Sequence, residues 1–191
     1  MFAVNPIAVV LLVIVVIVVA VVIWFIVTYN GFVKLRNTVE EAFSTMDVYL
    51  KKRFDLIPNL VETVKGYAAH ESGTLEKVVR ARSAISGAAT PAEKIEGENL
   101  LGGALKSVFA LAESYPALRA NENFLALQSQ LGSIENDIAN ARKYYNGTVR
   151  LFNTKTETFP SALLAALFNF KRMPMFEAAD DAERENVRVQ F

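Results

Sequence analysis

Residues 124–152 read FLALQSQLGSIENDIANARKYYNGTVRLF, and this stretch decides the fold class. Phe124, Leu127, Leu131, Ile134, Ile138, Ala141, Tyr145, Thr148 and Phe152 recur at spacings of three and four. Gln, Glu, Asn, Asp and Arg fill the positions between them. Because an α-helix turns every 3.6 residues, that repeat keeps the apolar side chains on one stripe. Sustained over four heptads, it predicts a coiled-coil-like seam inside a helical bundle.

The same period appears upstream. Val39, Phe43, Met46, Leu50, Phe54, Ile57, Val61, Val64 and Ala68 mark one face of a long amphipathic helix. Pro58 lies inside it and removes one backbone hydrogen bond, which predicts a kink near Phe54–Ile57. The helix is expected to stop near His70–Gly73. A second helix follows Gly73, with Leu75, Val78, Val79, Arg82 and Ile85, and ends at Gly87. Thr90-Pro91-Ala92-Glu93 reads as a capping box with proline at the first helical position. It opens a third helix through Ile95, Leu101, Leu105 and Val108 that Tyr115-Pro116 terminates. No strand-like alternation occurs.

At the N-terminus, Ile7 to Thr28 carries no charged side chain, and none appears until Lys34. A helix of that length spans about 33 Å, enough for the roughly 30 Å hydrocarbon core of a bilayer. A cleaved signal peptide fits poorly. No Lys or Arg precedes the run, the run is too long, and Tyr29-Asn30-Gly31-Phe32 is not a small-x-small site. Trp24 and Tyr29 suit an aromatic anchor at the headgroups. Lys34 and Arg36 follow the span, which by the positive-inside bias predicts an outside N-terminus and cytoplasmic residues 30–191.

The expected fold is therefore all-α: an N-terminal transmembrane helix (1–29), a long antiparallel helical bundle (30–172) and a C-terminal tail (173–191). The bundle reads as three rods, 30–70, 73–114 (broken near 88–90) and 118–154, each about 60 Å long. Short connections make neighbours antiparallel. With three rods, residue 155 is expected about 60 Å from the bilayer. There the sequence turns apolar again over Phe159–Phe170, a helix with almost no polar face. It reads either as a cap on the open bundle end or as an exposed contact for a subunit, a partner or a second membrane.

Chemistry is sparse. Lys plus Arg and Asp plus Glu each number 20, so the net charge is zero, and a general nucleic-acid binder is disfavoured. Without cysteine there is no disulfide, thiol nucleophile or cysteine metal site. A lone histidine, His70, offers too little for a metal centre or a Ser-His-Asp hydrolase, and His70-Glu71 reads as a helix-end or packing pair. No phosphate-binding glycine motif is present, and Gly102-Gly103 reads as close helix packing. The sequence therefore yields no catalytic, cofactor-binding or metal residues. The polar cluster Arg53, Asp55, Asn59, Glu62 and Lys65 reads as a solvated face with ion pairs, or else as a specific contact with another helix or a partner.

Arg53–Glu71, RFDLIPNLVETVKGYAAHE, resembles the signature segment of the LemA family. Tyr29-Asn30 with Leu35-Arg36-Asn37, Ala81-Arg82, Glu113-Ser114-Tyr115-Pro116 and Ala120-Asn121-Glu122-Asn123-Phe124 resemble further family motifs. So do Glu135-Asn136, Ala141-Arg142, Tyr144-Tyr145-Asn146, Asn153-Thr154 and Phe159-Pro160. Phe43 departs from the tryptophan many relatives carry, a core exchange. The resemblance implies a bacterial membrane protein with one N-terminal span, a cytoplasmic helical bundle and no known catalytic residues. It also implies kinship with magnetosome-associated proteins that organise membrane, and genes often beside membrane metalloproteases. Two functions are expected from this. One is a non-enzymatic scaffold, homo-oligomeric, that organises or shapes the inner membrane. The other is an adaptor that binds a membrane protein such as a metalloprotease. The partners expected are the lipid bilayer through residues 7–28, further copies of the chain and possible protease contacts, with no nucleic acid and no cofactor.

Overall fold

The computed structural model describes residues 6–68 and 70–176. They form α1 (Pro6–Lys65), α2 (Ser72–Gly87), α3 (Pro91–Ala112), α4 (Pro116–Arg119), α5 (Glu122–Glu157) and α6 (Ser161–Leu167). No strand occurs among the described residues. The fold is all-α, as the sequence period requires. Of the tail expected over 173–191, residues 177–191 lie outside the described residues, as do the residues before Pro6. Residues 173–176 are described and bonded to α5, with Phe176 buried. The chain divides into two compact units. One joins the residues up to Glu41 with Gly147–Met173, and the other joins Ala42–Asn146 with the residues from Pro174 onward.

In the unit built on Ala42–Asn146, segments of α1 and α5 pack with α2, α3 and α4. Its core holds Ile57, Leu60 and Val64 from α1, Leu75, Val78 and Ala81 from α2, and Leu101, Leu105 and Val108 from α3. Leu118 from α4 and Phe124 and Leu131 from α5 complete it. The α-helix runs on through Pro58, ends at Lys65, short of the expected His70–Gly73, and closes in a turn where Tyr67 N and Ala68 N both donate to Val64 O. Phe43 meets Tyr145 while Arg53 meets Glu135, so α1 and α5 run antiparallel here.

The stretch 73–114 is not one broken rod. It is a hairpin of two antiparallel helices, and the reason is local. Ala88 and Thr90 are both extended (φ −66°, ψ 119° and φ −124°, ψ 154°), so the chain reverses instead of bending. The expected capping box then starts α3. Glu93 N donates to Thr90 Oγ1 at 3.2 Å, and Glu93 Oε2 accepts from Thr90 N at 3.3 Å and Ala89 N at 2.8 Å. Packing α3 back on α2 requires a residue without a side chain at 97. A Cβ on Gly97 would lie 2.9 Å from Ile85 Cγ1 and 3.2 Å from Ile85 N.

In the unit joining the first residues to Gly147–Met173, the apolar part of α1 is exposed on every face as far as Trp24. It is the one described helix long and apolar enough to cross a membrane. Packing begins at the next residue. Phe168 lies against Phe25 and Tyr29 (ring centroids 5.7 and 4.7 Å apart), and Phe32 stacks on Phe170 (4.8 Å, 13°) and meets Phe152 edge-on (6.2 Å). The α6 terminus makes this possible. Asn169 adopts φ 56°, Phe170 N donates to Ala165 O at 2.9 Å and Asn169 N to Ala166 O at 3.4 Å, a Schellman ending that turns Phe170 back to α1. Asn153 then holds the outgoing chain, its Nδ2 donating to Met173 O at 2.9 Å and its Oδ1 accepting from Met173 N at 2.8 Å.

This corrects the expectation that residue 155 lies about 60 Å from the bilayer. Lys155 Nζ sits 5.0 Å above the Phe32 ring, and the segment after it packs on the last turns of the apolar run. The stretch 73–114, expected as one pass, makes two.

Overpacking at the hairpin has a measurable cost. Gly97→Val is expected to lower stability by about 1–3 kcal/mol, because Ile85 presents backbone as well as side chain to the new atoms. Gly132→Ala, where nothing lies within 4 Å, serves as control and leaves the thermal unfolding midpoint unchanged or raised. Circular dichroism of the full chain in detergent reads both.

Candidate functional site

Arg53 holds the most chemically distinctive position among the described residues. Met46 lies seven residues before it and Leu60 seven after, both fully buried. Seven residues are two helical turns, so Arg53 must point where they point. Its side chain is 0% exposed. Nη2 donates to Glu98 Oε2 at 2.5 Å and to Glu98 O at 3.2 Å, and Nη1 donates to Glu135 Oε2 at 2.6 Å. Glu98 is also buried, 1% exposed, while Glu135 is half exposed. One guanidinium thus fastens α1 to α3 and α5.

Gly102 of α3 lies beside the group, and a Cβ there would meet Arg53 Nη1 at 4.0 Å, an ordinary contact distance. One turn before Glu98, Lys94 pairs with Asp47 of α1. Burial pushes the Glu98 carboxyl above the usual carboxylate range. The charge and hydrogen bond of Arg53, and the charge of Lys94, pull against that rise, and Asp47 adds to it. A hollow of about 290 Å³ opens beside Glu98, lined by Asp47, Leu50, Lys51, Phe54, Lys94 and Ile85 among others. The charged groups Glu98, Asp47 and Lys94 at this hollow already hold partners within the protein. The arrangement fastens helices and supplies neither a nucleophile with a base nor an anion cradle.

The structure splits the polar cluster read around Pro58. Arg53 turns inward, and Asp55, Asn59, Glu62 and Lys65 are exposed. Asp55 pairs with Lys51 at 3.3 Å, one turn back along α1. The reading as a contact with another helix holds for Arg53 alone. The seven-residue offset from Met46 and Leu60 was the signal that marks it. Glu98 carries no such signal, because its neighbours Ile95 and Leu101 carry the helical period and an isolated glutamate between them reads like any solvated one.

His70 is exposed. Its neighbour Glu71 accepts from Tyr115 Oη at 2.9 Å, which favours the protonated phenol, and Asn121 Nδ2 donates to Tyr67 Oη at 2.9 Å. These bonds tie the loop after α1 to the connections on either side of α4. Gly103 faces outward with nothing within 4 Å, and a Cβ on Gly102 would make only an ordinary contact at 4.0 Å, so neither glycine of the pair is required by the close packing expected there. Among the described residues no three His, Cys, Asp or Glu side chains group as metal ligands.

A second feature lies on the outer face of the hairpin. Between α2 and α3 runs a shallow groove of about 440 Å³, floored by Ala81, Ala84, Gly103 and Ala104 and edged by Lys77, Arg80 and the exposed Leu100.

Removing the guanidinium tests the fastening. Arg53→Met leaves Glu98 buried and unpaired, and it is expected to cost about 3–5 kcal/mol at neutral pH. The loss depends on pH with a definite sign. Without Arg53 the folded-state pKa of Glu98 rises further above its unfolded value near 4.5, so the folded protein binds the proton more tightly. That contribution favours the fold below the unfolded pKa and is lost as pH rises through the folded one. The penalty of Arg53→Met should therefore shrink on acidification from pH 7 toward about 4.5, as read by denaturant unfolding at each pH. An Arg53→Met, Glu98→Gln double variant should show a flatter dependence.

Comparison with known proteins agrees with the helical architecture. The model of the LemA family matches residues 42–191. Protein LemA of Metamycoplasma hominis is 25% identical over 155 residues, covering 79% of this chain and 69% of that protein. Magnetosome protein MamQ of Magnetospirillum gryphiswaldense is 26% identical over 179 residues, covering 79% of this chain and 65% of its own length. Magnetosome protein MamQ 2 of Paramagnetospirillum magneticum is 25% identical over 178 residues, with 80% and 65% covered. The matches thus span about two thirds of these relatives. With the family model covering most of the sequence and an all-helical structure behind it, the chain belongs to the LemA family, a family of membrane-associated helical proteins.

Proposed function

We propose that this protein is a non-enzymatic scaffold that self-associates at the membrane it is anchored in. Residues 7–28 cross the bacterial inner membrane with the N-terminus outside, and Lys34 and Arg36 retain residues 30–191 in the cytoplasm. The observation that carries the reading is the contrast between inside and outside of the Ala42–Asn146 unit. Its buried charges are engaged in fastening helices, while the α2–α3 face presents a floor of Ala and Gly under an exposed Leu100. Small residues let a second helix approach closely, and Leu100 supplies the apolar side chain to bury. The occupant proposed is the same face of a second copy, so that each Leu100 meets the other copy's Gly103. Magnetosome proteins stand among the relatives, and an organising role is in keeping with that name.

A second reading has one observation of its own. A groove of about 370 Å³ beside Pro58 is lined by Ile57, Val61, Glu62, Val79, Arg82 and two serines, a mixed surface suited to an adaptor for a membrane protein such as a metalloprotease. Buried Arg53 takes no part in it.

The mass of the full chain in mild detergent separates the two. The scaffold predicts a large, uniform assembly that Leu100→Asp or Gly103→Phe reduces by at least half, since position 103 has room for the new ring within its own chain. Monomers at high concentration would sink the scaffold. Stoichiometric co-purification with one membrane protein, abolished by charge reversal at Glu62 and Arg82, would put the adaptor in its place.

A further inference from the structure

The helix α6 and the residues around it leave large apolar side chains uncovered. Leu164 and Ala165 are buried, whereas Leu163, Leu167 and Phe159 are 62%, 69% and 83% exposed. Phe168 is partly exposed on the same segment. On a helix of seven residues, Leu163 and Leu167 are one turn apart and share a face. An apolar face of this kind demands cover.

Its place in the unit says what the cover is. Phe168 packs on Phe25 and Tyr29 of α1, and Phe25 lies within the apolar run that ends at Thr28. The tip of α6 therefore stands level with the last turn of the span. Where Phe25 is at the boundary between hydrocarbon and headgroups, Phe168 is at the same depth. Cations come within about two to three turns beyond this level. Lys34 and Arg36 follow the span on α1, Lys171 and Arg172 follow α6, and Lys155 lies over Phe32. Arg172 also reaches Glu157 at 3.3 Å, with both groups largely exposed. An apolar helix face flanked by Lys and Arg at the depth of the headgroups is the composition of an element lying in the interface plane. Burial pushes the Lys155 ammonium below its ordinary value, and proximity to lipid phosphate would oppose that shift.

We infer that α6 is an interfacial membrane element: Phe159, Leu163, Leu167 and Phe168 insert into the headgroup–acyl boundary of the same bilayer that α1 crosses, with Lys171 and Arg172 at anionic headgroups. The protein then holds its membrane at two places, a spanning helix and a helix lying beside it. Fixing both also fixes the azimuth of α1, because only one side of the helix carries α6.

The inference rests on α1 crossing the bilayer, and the test separates the two. Because the chain has no cysteine, single cysteines accept a fluorophore cleanly. Leu163→Cys, Leu167→Cys, Val15→Cys and Leu100→Cys are labelled with an environment-sensitive dye. The full chain is then placed in nanodiscs of phosphatidylcholine with and without phosphatidylglycerol. Quenching by spin labels at defined lipid depths is read. The expected result is deep quenching at 15, shallow quenching with blue-shifted emission at 163 and 167, and none at 100. Lys171→Glu with Arg172→Glu should weaken the shallow quenching several-fold in the anionic discs. Deep quenching at 15 together with water-like emission at 163 and 167 would overturn the interfacial helix and leave the span intact. Blue-shifted emission at 163 and 167 without lipid quenching would also overturn it, since a protein surface would then be the cover. Loss of deep quenching at 15 would remove the span and this inference with it.

Discussion

The buried guanidinium of Arg53 constrains the structure more tightly than any apolar contact. A stripe of leucines and valines tolerates sliding, because one apolar side chain replaces another seven residues along. A buried cation does not, since leaving it unpaired costs several kcal/mol. Shifting α3 by seven residues would set Pro91 or Leu105 where Glu98 stands, and shifting α5 would bring Gln128 or Arg142 in place of Glu135. The first substitution strands the charge and the last repels it. Only one register of α1, α3 and α5 satisfies Nη1 and Nη2 together. This is the use of a buried ionic group for which the physical case is strongest: it adds little net stability over an apolar trio and selects one packing among several.

That register sets the topology. With α3 held against α1 by Glu98, and α2 held against α3 at Gly97, the hairpin cannot open into one long rod. Four long helical passes follow, and the chain leaves the unit where it entered, as the contact of Phe43 with Tyr145 records. An odd number of passes would have delivered residue 146 to the opposite end. The end of the unit at which residue 146 emerges therefore depends on a three-residue connection, Ala88 to Thr90, and on a glycine that lets two helices touch.

Much of this was legible in the residues. The α5 stripe is buried at Phe124, Leu131, Ile138, Tyr145 and Phe152, seven residues apart, and the positions between at Leu127, Ile134 and Ala141 are half buried. The capping box at Thr90 and Glu93 formed as its spacing requires. What was not legible was whether the break near 88–90 bends a rod or reverses it. Helical period is blind to this, because both outcomes keep the same faces apolar. The deciding residue is Gly97, which reads as a weak helix position until a partner helix is placed over it. The candidate site was half legible. Arg53 sits on the seam by simple counting, but its carboxylate partners lie 45 and 82 residues away, and no local pattern links them.

The apolar stretch 159–170 shows how the meaning of a sequence depends on where the fold puts it. Far from a bilayer, exposed Leu163 and Leu167 would require a protein partner or a closed bundle end, since water offers no other relief. Beside Phe25 and Tyr29, on the proposed span, the same residues need neither, because the bilayer proposed to accept Val9 through Ile23 of α1 would be within reach. Hydrophobic burial has no direction and no specificity of its own. It takes its specificity here from the polar contacts that fix the geometry: the Schellman ending at Asn169, which aims Phe170 at Phe32, and the amide of Asn153, which clamps Met173. Those few hydrogen bonds decide which apolar faces the protein covers itself and which it leaves exposed.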